Sequence, residues 1–125
     1  MGTSDVCLVE MNTLGSGSSG RSATVTGHSF TSEHCLDLVR LSFDAYMRFA
    51  DELGADPGFQ RIGFLLMCGA QAAPDLRENH AMLQRKGVES QLIDRKGIAT
   101  LTPGLYLEDI ELGLLTPQDG IIDPH

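Results

Sequence analysis

The residues best suited to chemistry are Glu10 and the segment just after it, Gly15-Ser16-Gly17-Ser18-Ser19-Gly20-Arg21-Ser22. Glycine tolerates backbone angles that turn successive N–H groups inward, toward an anion. Arg21 adds a planar charged donor. Together these residues suit a phosphate-bearing ligand. Gly15 to Gly20 also spells G-x-G-x-x-G, but in the wrong setting for a dinucleotide fingerprint. That motif follows the first strand directly, opens a helix and is followed by an acid about 20 residues later. Here four residues separate Glu10 from Gly15, and the acid comes first. A flexible Gly/Ser linker is the plain alternative. A third arrangement fits the order of residues. The acid that ends the second strand of a nucleotide-binding half takes the ribose hydroxyls. Glu10 occupies that place, the loop after it becomes a second phosphate-side contact, and the glycine-rich first turn lies upstream.

The other reactive side chains are more dispersed. His28, placed after the loop, has the best claim among the histidines to line a site. His34 and Cys35 are adjacent, so a helix faces them apart. His80 is expected as a partly exposed helix residue. Cys7, Cys35 and Cys68 are odd in number, far apart and set in apolar segments, which predicts buried free thiols. No ligand spacing suits zinc, and no Ser/His/Asp set argues for nucleophilic catalysis.

The elements that must position these groups can be read from pattern. Val6-Cys7-Leu8-Val9-Glu10 reads as a buried strand ending in an acid. Asn12 to Ser22 is a loop, and Thr24-Val25-Thr26 favours extended chain. Ser32 is a plausible N-cap for a helix reaching Leu53, with Gly54 past its end. That helix is apolar on two faces: Leu36, Val39, Phe43, Tyr46, Ala50 and Leu53 on one, Leu38, Leu41, Ala45 and Phe49 on the other. It therefore needs cover. Asp56-Pro57-Gly58 is a turn, Arg61 to Cys68 a strand, and Pro74 to Lys86 a second helix stopped by Gly87. Val88 to Ile93 is a short strand, and Asp94 caps a short helix to Leu101. Ile110 to Leu115 is a further strand, and Thr116 to Gly120 a turn.

The 125 residues, 42% of them hydrophobic, suffice for a folded core. The net charge of −8 argues against nucleic acid, whose affinity comes from neutralised phosphates, and against an anionic membrane surface. No apolar run nears the roughly 20 residues that cross a bilayer, and the first residues do not have the pattern of a signal peptide. A cytoplasmic location is the expectation. A buried-type strand near Met1 and an Asp-Pro pair near the end predict a unit cut from a larger α/β fold, because parallel units need neighbours on both sides.

Val6 to Glu10, followed by Leu14 to Ala23, resembles the D-amino-acid-oxidase-type FAD-dependent oxidoreductases, in particular the sarcosine oxidase beta subunit and dimethylglycine dehydrogenase group. Phe49-Ala50-Asp51-Glu52-Leu53-Gly54, Phe59 to Leu65, Leu101-Thr102-Pro103-Gly104-Leu105, Thr116-Pro117-Gln118-Asp119-Gly120 and Asp123-Pro124-His125 extend the resemblance in order. Two departures are evident. The family's first strand and glycine fingerprint are absent, and Gly27-His28 stands where many members carry an Arg. The resemblance implies an α/β fold: a partial FAD-binding Rossmann-like region over residues 1–55, then the start of a mixed-sheet substrate domain over 56–125. It implies FAD as cofactor, with Glu10, Gly17, Ser18, Ser19, Gly20, Arg21 and Ser22 beside it. It also implies oxidation of a C–N bond in a small amine or amino acid by hydride transfer to the flavin. No catalytic base can be named. The rival reading is a non-catalytic α/β module acting in oligomerisation or subunit interaction, with a second copy or a partner subunit covering the apolar surface.

Overall fold

The computed structural model describes residues 4–123. Met1 to Thr3, Pro124 and His125 lie outside the described residues, so the Asp123-Pro124-His125 stretch is seen only at Asp123. The strands are β1 (Val25–Thr26), β2 (Gln60–Arg61), β3 (Phe64–Cys68), β4 (Gln91–Asp94), β5 (Leu112–Thr116) and β6 (Gly120–Ile121). The helices are α1 (Glu33–Met47), α2 (Phe49–Leu53), α3 (Ala73–Arg85) and α4 (Arg95–Leu101). The result is an α/β fold built on two three-stranded sheets, ordered β1-β6-β2 and β3-β5-β4.

Every pairing among the described residues is antiparallel. The parallel ladder of a Rossmann half is therefore not among them. Val6 to Glu10, expected as a buried strand, has no regular secondary structure, belongs to neither sheet and is exposed, Val9 at 86%. An apolar, β-branched run becomes a buried strand only when a ladder neighbour takes its N–H and C=O groups, and none is present among the described residues.

The chain passes between the two sheets at two places. Gly63, at φ 74°, separates β2 from β3, which divides the single strand expected over 61–68. The turn after Thr116 separates β5 from β6. The two places are joined, because the Gly63 N–H donates to the Asp119 carbonyl at 2.8 Å. Strand β6 was not anticipated: two residues carry no readable alternation.

The core lies between α3 and β5. Leu76, Met82 and Leu83 from α3 pack with Val88, Leu112 and Leu114, and Leu36 of α1 joins them. Pro74 in the first turn of α3, where its missing N–H is harmless, and Gly87 at φ 74° just past the end explain where that helix starts and stops. Asp94 caps α4 by accepting from the Gly97 N–H at 2.8 Å.

The long helix expected to reach Leu53 breaks at Arg48, whose φ of −98° and ψ of 1° lie outside the helical well. Ser32 takes the N-cap position with extended backbone but makes no side-chain capping bond. Leu36 and Phe43 of the first apolar stripe are buried but its Tyr46, Ala50 and Leu53 are exposed, and Leu38 and Leu41 on the second are 66% and 68% exposed. The thiols also depart from expectation. Cys7 and Cys35 are exposed and Cys68 is partly buried, because the segments carrying the first two lack the cover that would bury them. His80 is partly buried, its Nδ1 3.0 Å from Ser90 Oγ. Among the described residues no helix is long and apolar enough to cross a membrane.

Candidate functional site

The glycine-serine loop curls into a short 3-10 turn over Ser19–Arg21. Its backbone is partly self-satisfied: the N–H groups of Gly20, Arg21 and Ser22 donate to the carbonyls of Gly15, Ser18 and Ser19. Ser22 Oγ donates to the Ser19 carbonyl at 3.2 Å and accepts from the Thr24 N–H at 3.1 Å. The loop is thus a folded knuckle, with the Arg21 side chain exposed at its end. Glu10 is also exposed, and one of its carboxylate oxygens accepts from the Asn12 N–H at 2.8 Å.

An open cleft of about 600 Å³ runs beside this knuckle. Its lining includes Ser19, Ser22, Thr24 and Thr26, together with Tyr46, Phe49, Asp56 and Asp123. Of the residues predicted to hold a cofactor, the structure brings Ser19 and Ser22 to this cleft. Glu10, Gly17, Ser18, Gly20 and Arg21 are not among its lining residues.

Thr24 has a φ of 50°. It is the non-glycine residue with positive φ among those described, and a β-branched side chain makes that conformation costly. Such strain persists only where the surroundings over-determine it, and it concentrates at functional sites. Here the constraint is explicit. The Thr24 N–H is held by Ser22 Oγ, and its carbonyl accepts from the Ile122 N–H at 3.1 Å. The left-handed residue therefore turns the chain from the knuckle into β1, alongside β6.

His28, the histidine the sequence favoured, belongs to a buried polar cluster whose other members sequence reasoning missed. Asp119 is fully buried. Its Oδ1 lies 2.6 Å from His28 Nδ1, and its Oδ2 accepts from the His28 N–H at 3.0 Å and from Thr116 Oγ1 at 2.5 Å. A carboxylate accepts and does not donate, so the contact places the imidazole proton on Nδ1. The His28 ring lies 4.7 Å from the Phe43 ring, which meets Phe59 edge-on at 5.6 Å. Gly27 permits this approach: a Cβ there would stand 2.7 Å from Asp119 Oδ2. His28 also borders a second, polar cleft of about 360 Å³ with Arg40, Asp44 and Gln118. In the sequence Asp119 is an ordinary turn acid. Its partner lies 91 residues away, beyond the reach of any local pattern.

The donor set can be tested against an adenine dinucleotide. Hydroxyls of Ser19, Thr24 and Thr26 can donate to phosphate oxygens, that of Ser22 being already given to the Ser19 carbonyl, and Arg21 stands at the knuckle's exposed end. Asp56 and Asp123 suit hydroxyl groups rather than phosphates. The set fits a group carrying both phosphate and polyol. Among the described residues no cluster of three His, Cys, Asp or Glu side chains could hold a metal ion.

Comparison with known proteins identifies the family. The model of a family described as FAD dependent oxidoreductase matches residues 2–125. The chain is 31% identical over 125 residues to a 4-methylaminobutanoate oxidase (formaldehyde-forming) of Paenarthrobacter nicotinovorans, covering 98% of this chain and 15% of that protein. It is 25% identical over 123 residues to a mitochondrial pyruvate dehydrogenase phosphatase regulatory subunit of Mus musculus, covering 98% and 14%. Among solved structures, a glycine oxidase from Geobacillus kaustophilus superposes with a TM-score of 0.76 at 25% identity, over 90% of this chain and 32% of that one. The chain thus spans about a seventh of the length of the curated relatives it matches.

Proposed function

The chain belongs to the FAD dependent oxidoreductase family, and from that membership we propose that it forms the adenosine- and pyrophosphate-side wall of a flavin site in an oxidoreductase acting on a small amine or amino acid. When bound, the flavin supplies the hydride acceptor for the C–H bond beside the substrate nitrogen; the protein supplies position and electrostatics. Glu10 retains a carboxylate oxygen beyond the one held by Asn12 and accepts from the ribose hydroxyls. Arg21 pairs with the pyrophosphate, where a planar guanidinium binds bidentately. The hydroxyls of Ser18 and Ser19 add neutral donors, Ser22 joins them on releasing the Ser19 carbonyl, and Gly17 and Gly20 let the backbone approach closely. His28 and Asp119 touch none of these groups. They fix β1 against β6, and with it the end of the loop.

The observation that carries this reading is the knuckle itself: Ser19 and Ser22 face an open cleft immediately before a strained Thr24. Relatives with the same overall match include an oxidase named for a methylated amino acid and a glycine oxidase, which supports an amine or amino-acid substrate. Amide hydrogen exchange tests the assignment. Added FAD slows exchange across residues 15–24 and leaves α3 unchanged. Protection spread evenly, or none at the loop, rejects it.

One observation favours a second reading, in which the chain acts as a subunit-interaction protein. Leu38 and Leu41 leave an apolar stripe of α1 exposed, and one of the similar proteins is named a regulatory subunit.

A further inference from the structure

Asn79 sits on the inner side of α3 and is 7% exposed. Its Oδ1 is buried and has no hydrogen-bond partner. A buried acceptor without a donor is costly, so what could satisfy it matters. Asn79 borders a slot of about 270 Å³ between α3 and β3, whose walls include Leu66, Met67, Cys68, Ala72 and Leu76. A trapped water needs two to four polar partners, and apart from Thr31 and Asp75 the remaining walls are hydrocarbon and sulfur.

The slot opens onto a second cleft of about 430 Å³, and Thr31, Asp75 and Asn79 border both. The second cleft is rimmed by Glu33, Asp75 and Glu78, with Arg85 as its counter-charge. At least one carboxylate is already engaged: Glu33 Oε1 lies 3.3 Å from Arg85. Asp75 and Glu78 leave the junction acidic. Neither cavity shares a lining residue with the cleft beside the glycine-serine loop.

An apolar slot, an unsatisfied acceptor at its mouth and carboxylates beyond it describe one kind of ligand. We propose that the α3–β3 slot binds a primary alkylammonium ion. Its hydrocarbon tail lies against Leu66, Cys68, Ala72 and Leu76, and its ammonium donates to Asn79 Oδ1 and faces Asp75 and Glu78. This site is separate from the flavin wall and stands whether or not that reading holds.

The test uses the full chain carrying Cys7→Ser and Cys35→Ser, which leaves Cys68, a wall residue, as its remaining thiol. n-Hexylamine is titrated by calorimetry while alkylation of Cys68 by iodoacetamide is timed, with hexanol and hexanoate as controls. The expected result is saturable binding of hexylamine that slows Cys68 alkylation at least fivefold. Affinity rises about fourfold per methylene from butylamine to hexylamine, the increment of a buried CH₂. Asn79→Leu weakens binding at least tenfold. Ala72→Phe, at an exposed rim position, fills the slot without entering the core and gives the same loss should Asn79→Leu fail to melt cooperatively. Equal protection by hexanol or hexanoate overturns the proposal. So does affinity independent of chain length, or binding unchanged in Ala72→Phe.

Discussion

His28 Nδ1 and Asp119 Oδ1 stand 2.6 Å apart across 91 residues of sequence, with Asp119 fully buried. This contact ties the segment after the loop to the turn between β5 and β6. Two further donors, the His28 N–H and Thr116 Oγ1, converge on the other carboxylate oxygen. Removing the acid strands both His28 donors and leaves Thr116 Oγ1 only the Phe64 carbonyl at 3.3 Å. Asp119→Ala is expected to lose about 1–3 kcal/mol, the usual cost of leaving a buried donor unsatisfied. Urea denaturation measures it. In a double-mutant cycle with His28→Ala, the two losses should add to much more than the loss of the double variant. Simple additivity would mean that the pair is not coupled.

Gly27→Ala tests the same cluster from the backbone side. The new methyl would meet Asp119 Oδ2 at 2.7 Å and its Cγ at 2.9 Å. Those atoms cannot withdraw without releasing His28 or Thr116. Overpacking of this kind costs about 1–3 kcal/mol. Gly54→Ala meets no atom within 4 Å, so a loss there comes only from its φ of 70°. The melting point of Gly27→Ala is expected to fall, and the same substitution should cost less in the Asp119→Ala background, where the clashing carboxylate is gone.

Thr24→Gly is expected to do the opposite. Threonine at φ 50° is strained, and relief of a left-handed residue is worth roughly 1–2 kcal/mol. The greater unfolded-state freedom of glycine takes back part of that gain. The variant should melt no lower than the parent in a thermal scan. A clear loss of stability would show that the threonine side chain contributes more than its backbone costs.

Tyr106 gives a pH-dependent signal. Its hydroxyl donates to the Glu108 carboxylate, and that bond raises the phenol above its ordinary value of 10.0. A raised folded-state value means that the neutral phenol is favoured by folding. The contribution is therefore complete below the unfolded value and lost as pH rises through the folded one. The side chain is exposed, so the effect on stability is small. An ultraviolet titration should show one tyrosine ionising late, and Glu108→Gln should bring it back toward 10.

Much of the fold was legible because it rests on local chemistry. Pro74 and Gly87 bracket α3, Asp94 caps α4, and the apolar runs at 64–68 and 112–115 lie in paired strands. What failed needed information that is not local. Val6 to Glu10 has strand composition, but a ladder is a property of two segments, and among the described residues none pairs with it. The break at Arg48 left no proline or glycine to mark it. At the candidate site the loop was visible from its glycines and serines, and the structure brings Ser19 and Ser22 to a cleft. Asp119 was not visible as a partner, because burial of a turn acid depends on a histidine from the far end of the chain.

The flavin-wall account is tested most directly by titrating the chain with FAD and with ADP, followed by flavin fluorescence and calorimetry, in the parent, Glu10→Ala and Arg21→Ala. The account predicts saturable binding of both ligands. Arg21→Ala should weaken each about tenfold or more, the worth of a charge-assisted contact of about 1.5–3 kcal/mol. Glu10→Ala should weaken ADP and FAD alike, because both carry the ribose. Binding that does not saturate, or that is the same in all three proteins, would contradict it.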